Sequence, residues 1–321
     1  MNAIIRCLVC LAALACAGPA SAQTYPTKPV RVIIPFPAAG VTDIAGRLIA
    51  QKLSERLGQQ FYIENIAGAG GNLGMGNVAR APGDGYTILL SSSSIVVNPS
   101  LYNSVPFDID KDFIPVTKAG ATPNSWVVNA AFAPKTMKEL IDLIKREPGK
   151  HSVGSPGAGT TPSLAIEMLK LALGLDFVTV PFAGGGPMTQ SVLGGHTPIG
   201  CGALGNYVNL IKENKLRALA VAATKRSASL PDVPTLEESG ITGQESETMT
   251  GVFVPAGTPK AIVDLLQREF STIVNEPDMK AKLLQAGVEA DGGSSADFAA
   301  HVKAEIAKWK KVIEQAKSPK I

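Results

Sequence analysis

Glycines, hydroxyl residues and one aspartate carry most of the chemistry in this 321-residue sequence; histidines and paired acids carry little. Five glycine-rich loops lead directly into helix patterns, four of them straight from an apolar run: Phe36-Pro37-Ala38-Ala39-Gly40, Gly68-Ala69-Gly70-Gly71, Ser155-Pro156-Gly157-Ala158-Gly159-Thr160-Thr161, Phe182-Ala183-Gly184-Gly185 and Gly202-Ala203-Leu204-Gly205. The first amides of a helix lack an intrahelical acceptor and sit at the positive end of its dipole. Glycine lets that backbone approach a ligand closely. Such loops bind anions through main-chain groups and need no Lys or Arg. Ser92, Ser93 and Ser94 follow another apolar run and offer hydroxyls to a carboxylate, or simply end a strand. Asp43 falls in the first turn after the first loop, where the dipole favours an acid. Facing a cleft, it would instead pair with a ligand amino group or an ordered water.

Other chemistries find little support. Gly154 to Gly159 has the spacing of a phosphate-binding P-loop, but Thr160 stands where the lysine is required. Gly68-Ala69-Gly70 continues to Leu73, so the dinucleotide fingerprint lacks its third glycine. No Gly-x-Ser-x-Gly elbow occurs. His151, His196 and His301 are scattered, and no His, Cys and carboxylate cluster has metal-ligand spacing. These patterns predict neither an enzyme nor a metal or cofactor site. Thirty Lys and Arg against 27 Asp and Glu, with no run of five basic residues, exclude a nucleic-acid binder. With 18% charged and 45% hydrophobic residues the chain has ample material for cores.

The elements that must position the loops alternate strand and helix, which predicts an α/β protein. Residues 1–22 read as a secretory signal cleaved after Ala22, with Arg6, an apolar run from Cys7 to Ala17 and Ala20-Ser21-Ala22 at the cut. Its removal would take Cys7, Cys10 and Cys16 and leave Cys201 in an apolar strand pattern, predicting a buried, inert thiol and no disulfide. Val30 to Ile34, Phe61 to Asn65 and Tyr86 to Leu90 read as strands of a first lobe. The chain loosens near Lys118 to Ser125, which suggests a crossing. Three strand-loop-helix units then follow, and Gly251 to Val254 is a final strand. The expected division is residues 23–123 and 249–321 for one lobe and 124–248 for the other.

Tyr25-Pro26-Thr27-Lys28-Pro29-Val30-Arg31-Val32-Ile33-Ile34-Pro35-Phe36-Pro37, with Glu64-Asn65, Pro82-Gly83-Asp84-Gly85-Tyr86, Asn98-Pro99-Ser100-Leu101-Tyr102 and Leu230-Pro231-Asp232-Val233-Pro234-Thr235, resembles the Bug proteins. These are periplasmic solute receptors of tripartite tricarboxylate transporters, and the likeness spans nearly the whole chain after residue 22. The resemblance implies a two-lobed, type II Venus-flytrap fold with two mixed, mostly parallel sheets and crossover strands. It implies a monomer that takes a small carboxylate, whether a di- or tricarboxylate, an acidic amino acid or an aromatic acid. Its partners would be the large and small membrane subunits of a transporter; a soluble sensor acting on a membrane signalling protein is the alternative. The loop Phe36 to Gly40 would hold a carboxylate, partly through two waters, with Asp43 behind it. Ser92 to Ser94, the loops Ser155 to Thr161 and Phe182 to Gly185, and Ala203 would supply the rest. The family usually has glycine where this chain has Ala39, and a methyl there is expected to limit positive φ and intrude on the loop.

Overall fold

The computed structural model describes residues 25–315 and residue 320. The expected signal segment and its three cysteines lie outside the described residues. The first lobe opens with β1 (Val30–Ile34), α1 (Val41–Leu57), β2 (Phe61–Asn65), a 3₁₀ turn (Ala69–Gly71), α2 (Asn72–Ala79), β3 (Thr87–Ser91), α3 (Ser94–Leu101) and α4 (Ile109–Asp112). The long strand β4 (Phe113–Asn129) leads into α5 (Met137–Arg146), β5 (Ser152–Ser155), α6 (Thr161–Leu173), β6 (Val178–Pro181), α7 (Gly185–Leu193), β7 (Ile199–Ala203), α8 (Val208–Lys212) and β8 (Leu216–Val221). The chain returns through β9 (Glu247–Pro255), α9 (Lys260–Asn275), α10 (Pro277–Gln285), β10 (Glu289–Ala290) and α11 (Ser295–Gln315).

Apart from Arg31, β1 is apolar on both faces because α1 and α9 cover one side while α2 and α11 close the other, and its neighbours β2 and β3 run parallel to it. In the second lobe β5 pairs in parallel with β6 and β7. Both sheets are mixed, but they are not mostly parallel: four of the nine ladders among the described strands are parallel. The parallel ladders belong to strand-helix units. The antiparallel ones arise where β4 and β9 run against their neighbours.

β4 joins the lobes. Through Pro123 it pairs with β9, and from Asn124 onward with β7 and β8. Where the sequence suggests a loosened stretch, the structure has continuous strand with register shifts between Pro115 and Thr117 and between Lys118 and Gly120. Gly120 is needed there because a Cβ would stand 2.7 Å from the carbonyl oxygen of Glu289 on β10. The second crossing lies beside the first. Asn124 N–H donates to the Ser246 carbonyl, and the Asn124 side chain donates to Ser246 Oγ (3.0 Å) and accepts from Thr248 Oγ1 (2.9 Å).

The stripe Phe298, Val302, Trp309 and Ile313 of α11 packs into the core around α3 and β9, which also takes in Leu164 of α6. Cys201 on β7 is fully buried, and burial pushes its thiol well above the ordinary value. In a chain beginning at Gln23, Cys201 should therefore resist maleimide at pH 7 and react fully in guanidinium. Stoichiometric labelling of the folded protein would show that β7 is not closed.

Candidate functional site

Three helix heads meet in a cavity of about 60 Å³ between the lobes. From the first lobe comes α1, 17 residues long, whose preceding residue Gly40 is extended and offers no side-chain cap. From the second come α6, 13 residues, and α7, nine residues, the latter preceded by uncapped Gly184 at φ 130°. Thr160 caps α6, its Oγ1 accepting from Ser163 N–H (3.4 Å) and donating to the Gly157 carbonyl (2.7 Å). Among the described residues, no protein acceptor meets the amides of Thr42, Asp43, Thr161, Gly185 or Gly186. No Lys or Arg lines the cavity, and Asp43 is its one charged side chain. The positive potential there is therefore that of the helix dipoles, roughly half a charge for each helix.

Of the residues expected from the sequence, Phe36, Pro37, Gly40, Asp43, Ser92, Thr160, Thr161, Gly184, Gly185 and Ala203 line this cavity. Gly157, Phe182 and Ala183 line an adjoining chamber. The others stand outside both. Ala38 and Ala39 lie exposed on the rim. Ser93 Oγ donates to the Glu247 carbonyl (3.4 Å) and accepts from Met249 N–H (3.0 Å), tying its loop to β9. Ser94 N–H donates to Ser92 Oγ (3.3 Å), and Ser155 Oγ accepts from Gly157 N–H (3.1 Å), so both shape their own loops. Gly159 gives room to buried Asn98, whose Oδ1 would overlap a Cβ at that position.

Asp43 lines the cavity, yet its carboxylate is engaged by donors of its own lobe. It is 3% exposed, and its carboxylate accepts from Ala39 N–H (3.0 Å), Arg47 Nε (3.0 Å) and Asn65 Nδ2 (2.9 Å). Burial pushes this carboxyl up, but the hydrogen bonds from Arg47, Asn65 and Ala39 outweigh it and hold it below the ordinary 3.8. A carboxyl depressed in the folded state contributes stability above its unfolded value, and that contribution goes as the pH falls through the folded one. The loop is thus fully braced at neutral pH and loosens only in acid.

The Ala39 methyl does not prevent positive φ. The residue sits at φ 66°, is exposed and does not line the cavity. Left-handed alanine costs about 1–2 kcal/mol. The charge-assisted bond from its N–H to Asp43, about 1.5–3 kcal/mol, offsets that.

Sequence reasoning missed Asn206 and Thr248. Asn206 Oδ1, from the second lobe, accepts the Val41 N–H of α1 (3.1 Å) across the cleft. A Cβ on Gly185 would overlap the Asn206 amide, so close approach explains that glycine. Asn206 follows the loop of the third strand-loop-helix unit, where its helix is expected to start, and that place in the pattern was the available signal. Thr248 Oγ1 meets Thr161 Oγ1 at 3.0 Å and so joins the head of α6 to the Asn124 pair at the crossing. Nothing local in the sequence marks Thr248.

Residues 45–317 match the family model described as the tripartite tricarboxylate transporter family receptor. The chain belongs to this family. The receptor is 32% identical over 301 residues to protein BugT of Bordetella pertussis (strain Tohama I), covering 93% of this chain and 92% of BugT. It is similar to the structure of R. palustris Rpa4515 with adipate, with TM-score 0.89 and 33% identity over 91% of this chain and 98% of that one. It is also similar to MatC (Rpa3494) from Rhodopseudomonas palustris with bound malate, with TM-score 0.85 and 31% identity over 90% of this chain and 100% of that one. The family is one of periplasmic solute receptors and not of enzymes. Among the described residues, no helix of the receptor is long and apolar enough to cross a membrane.

Substitutions at two positions separate the roles of these residues. Ala39→Gly should relieve the strain and stabilise the receptor by less than about 1 kcal/mol, because the added chain entropy offsets part of the gain, whereas Ala39→Val should destabilise it. Denaturant unfolding reads both changes. Asn206→Ala removes one neutral hydrogen bond between the lobes and should weaken ligand affinity about three- to tenfold, for a bond of about 1 kcal/mol, as read by calorimetric titration.

Proposed function

We propose that the receptor captures a small carboxylate between its lobes and delivers it to the membrane subunits of a tripartite tricarboxylate-type transporter. The observation that carries this reading is the set of four unpaired first-turn amides, drawn from both lobes, around one cavity without a Lys or Arg. A carboxylate accepts several N–H bonds at once, each about 1.5–3 kcal/mol when one partner is charged. The amides of Thr42 and Asp43 would hold it from the first lobe, those of Thr161 and Gly185 from the second. Neither lobe alone assembles the set, so the anion favours the closed arrangement by its differential affinity for it. Asn206 adds to closure by reaching the head of α1.

The adipate and malate named with the two similar structures support a carboxylate as the ligand class. In this reading residues 1–22 direct export and are removed after Ala22, the lobes divide at residues 123/124 and 248/249, and the receptor acts as a monomer. Calorimetric titration of C4–C6 acids against their amides tests the central claim. The amides should bind at least tenfold more weakly, since they carry no charge to meet the helix dipoles. Equal affinities would remove the carboxylate from the reading.

A further inference from the structure

The 60 Å³ cavity has room for only a handful of waters at about 10–15 Å³ each, enough for a carboxylate and little more. It shares Phe36, Pro37, Pro156, Thr160 and Gly184 with a second chamber of about 460 Å³, a size typical of small-molecule sites. Pro35, Phe36, Pro37, Tyr102, Pro156 and Phe182 dominate its walls, and no charged side chain lines it. Resting on the carboxylate reading, we propose that the ligand carries an uncharged apolar body, an aromatic ring or a chain of similar size, which lies in this chamber.

No charged side chain is there to anchor a second carboxylate. At the head of α2, Gly71 N–H donates to the Gly68 carbonyl (2.9 Å) and Asn72 N–H to that of Ala69, while the Ala69 and Gly70 amides have no protein acceptor among the described residues. Rings and prolines instead offer the apolar contact that stabilises an aryl or alkyl group, about 25 cal/mol per Å² removed from water. The walls come from both lobes. The carbonyl of Ala158 would stand 2.8 Å from a Cβ on Gly70, and Pro37 Cδ 3.1 Å from one on Gly184, so the chamber is complete only when the lobes are together. The Tyr102 hydroxyl lies against Gly70 and has no hydrogen-bond partner among the described residues. Burial pushes this phenol above its ordinary value, so it enters as a neutral group able to meet a hydroxyl or carbonyl at the far end of the ligand.

Calorimetric titration of the receptor with succinate, adipate, 3-phenylpropanoate and 3-phenylpropanamide tests the assignment, alongside Ala67→Trp and Ala183→Trp. These two exposed alanines line opposite sides of the chamber, and circular dichroism checks that each variant folds. The aryl acid should bind at least tenfold tighter than either dicarboxylate. Each tryptophan should weaken the aryl acid at least tenfold more than it weakens succinate. Dicarboxylates that bind as tightly as the aryl acid, or tryptophans that weaken both acids alike or neither, overturn the apolar chamber and leave the carboxylate reading standing. An amide that binds as tightly as its acid overturns the carboxylate reading, and absence of binding by every acid overturns both.

Discussion

First-turn amides without a protein acceptor set the terms for this receptor. An amide removed from water without a partner costs about 1–3 kcal/mol, and the heads of α1, α6 and α7 bring four unpaired ones to one cavity. A helix head can be capped by its own serine, threonine or aspartate, yet Gly40 and Gly184 stand at two of these cap positions and leave the work to a guest. The same choice explains the scarcity of positive side chains. A lysine or arginine would bring its own charge and flexibility, whereas the dipoles are fixed by the helices that carry them.

That fixed field depends on a loop that is itself strained. Ala39 at positive φ turns the chain so that α1 points its head into the cleft, and Asp43 holds the turn through the Ala39 amide while Arg47 and Asn65 hold Asp43. An acid in the first turn is usually explained by the dipole alone. Here it also braces the turn, and because all three donors belong to the first lobe, that brace does not require the second.

The lobes are joined by main chain that belongs to both sheets. β4 changes partners at Asn124, and the Asn124, Ser246 and Thr248 side chains tie the two crossings together. Thr161 extends this network to the head of α6, so the residue proposed to meet the anion and the Thr248 hydroxyl at the crossing are one hydrogen bond apart. Charge capture and lobe position are thereby linked through two hydroxyls and one amide.

Much of this was legible beforehand because it is local. The alternation of apolar strands with glycine-rich loops and helices, the burial of Cys201 and the stripe on α11 follow from spacing and residue type. The loops at Phe36, Thr160 and Gly184 could be named because glycine and hydroxyl residues before a helix have few other uses. What sequence could not yield is distance across the chain. Ser93, Ser94 and Ser155 look like Ser92 on paper, but of the four only Ser92 lines the cavity, a matter of where the fold turns each residue. Asn206 and Thr248 gain their roles only because the fold places them within 3.1 Å of groups 165 and 87 residues away. The antiparallel pairing of β4 was hidden for the same reason: periodicity reports which face of a strand is buried, while its direction beside a neighbour is decided by where the chain has already been.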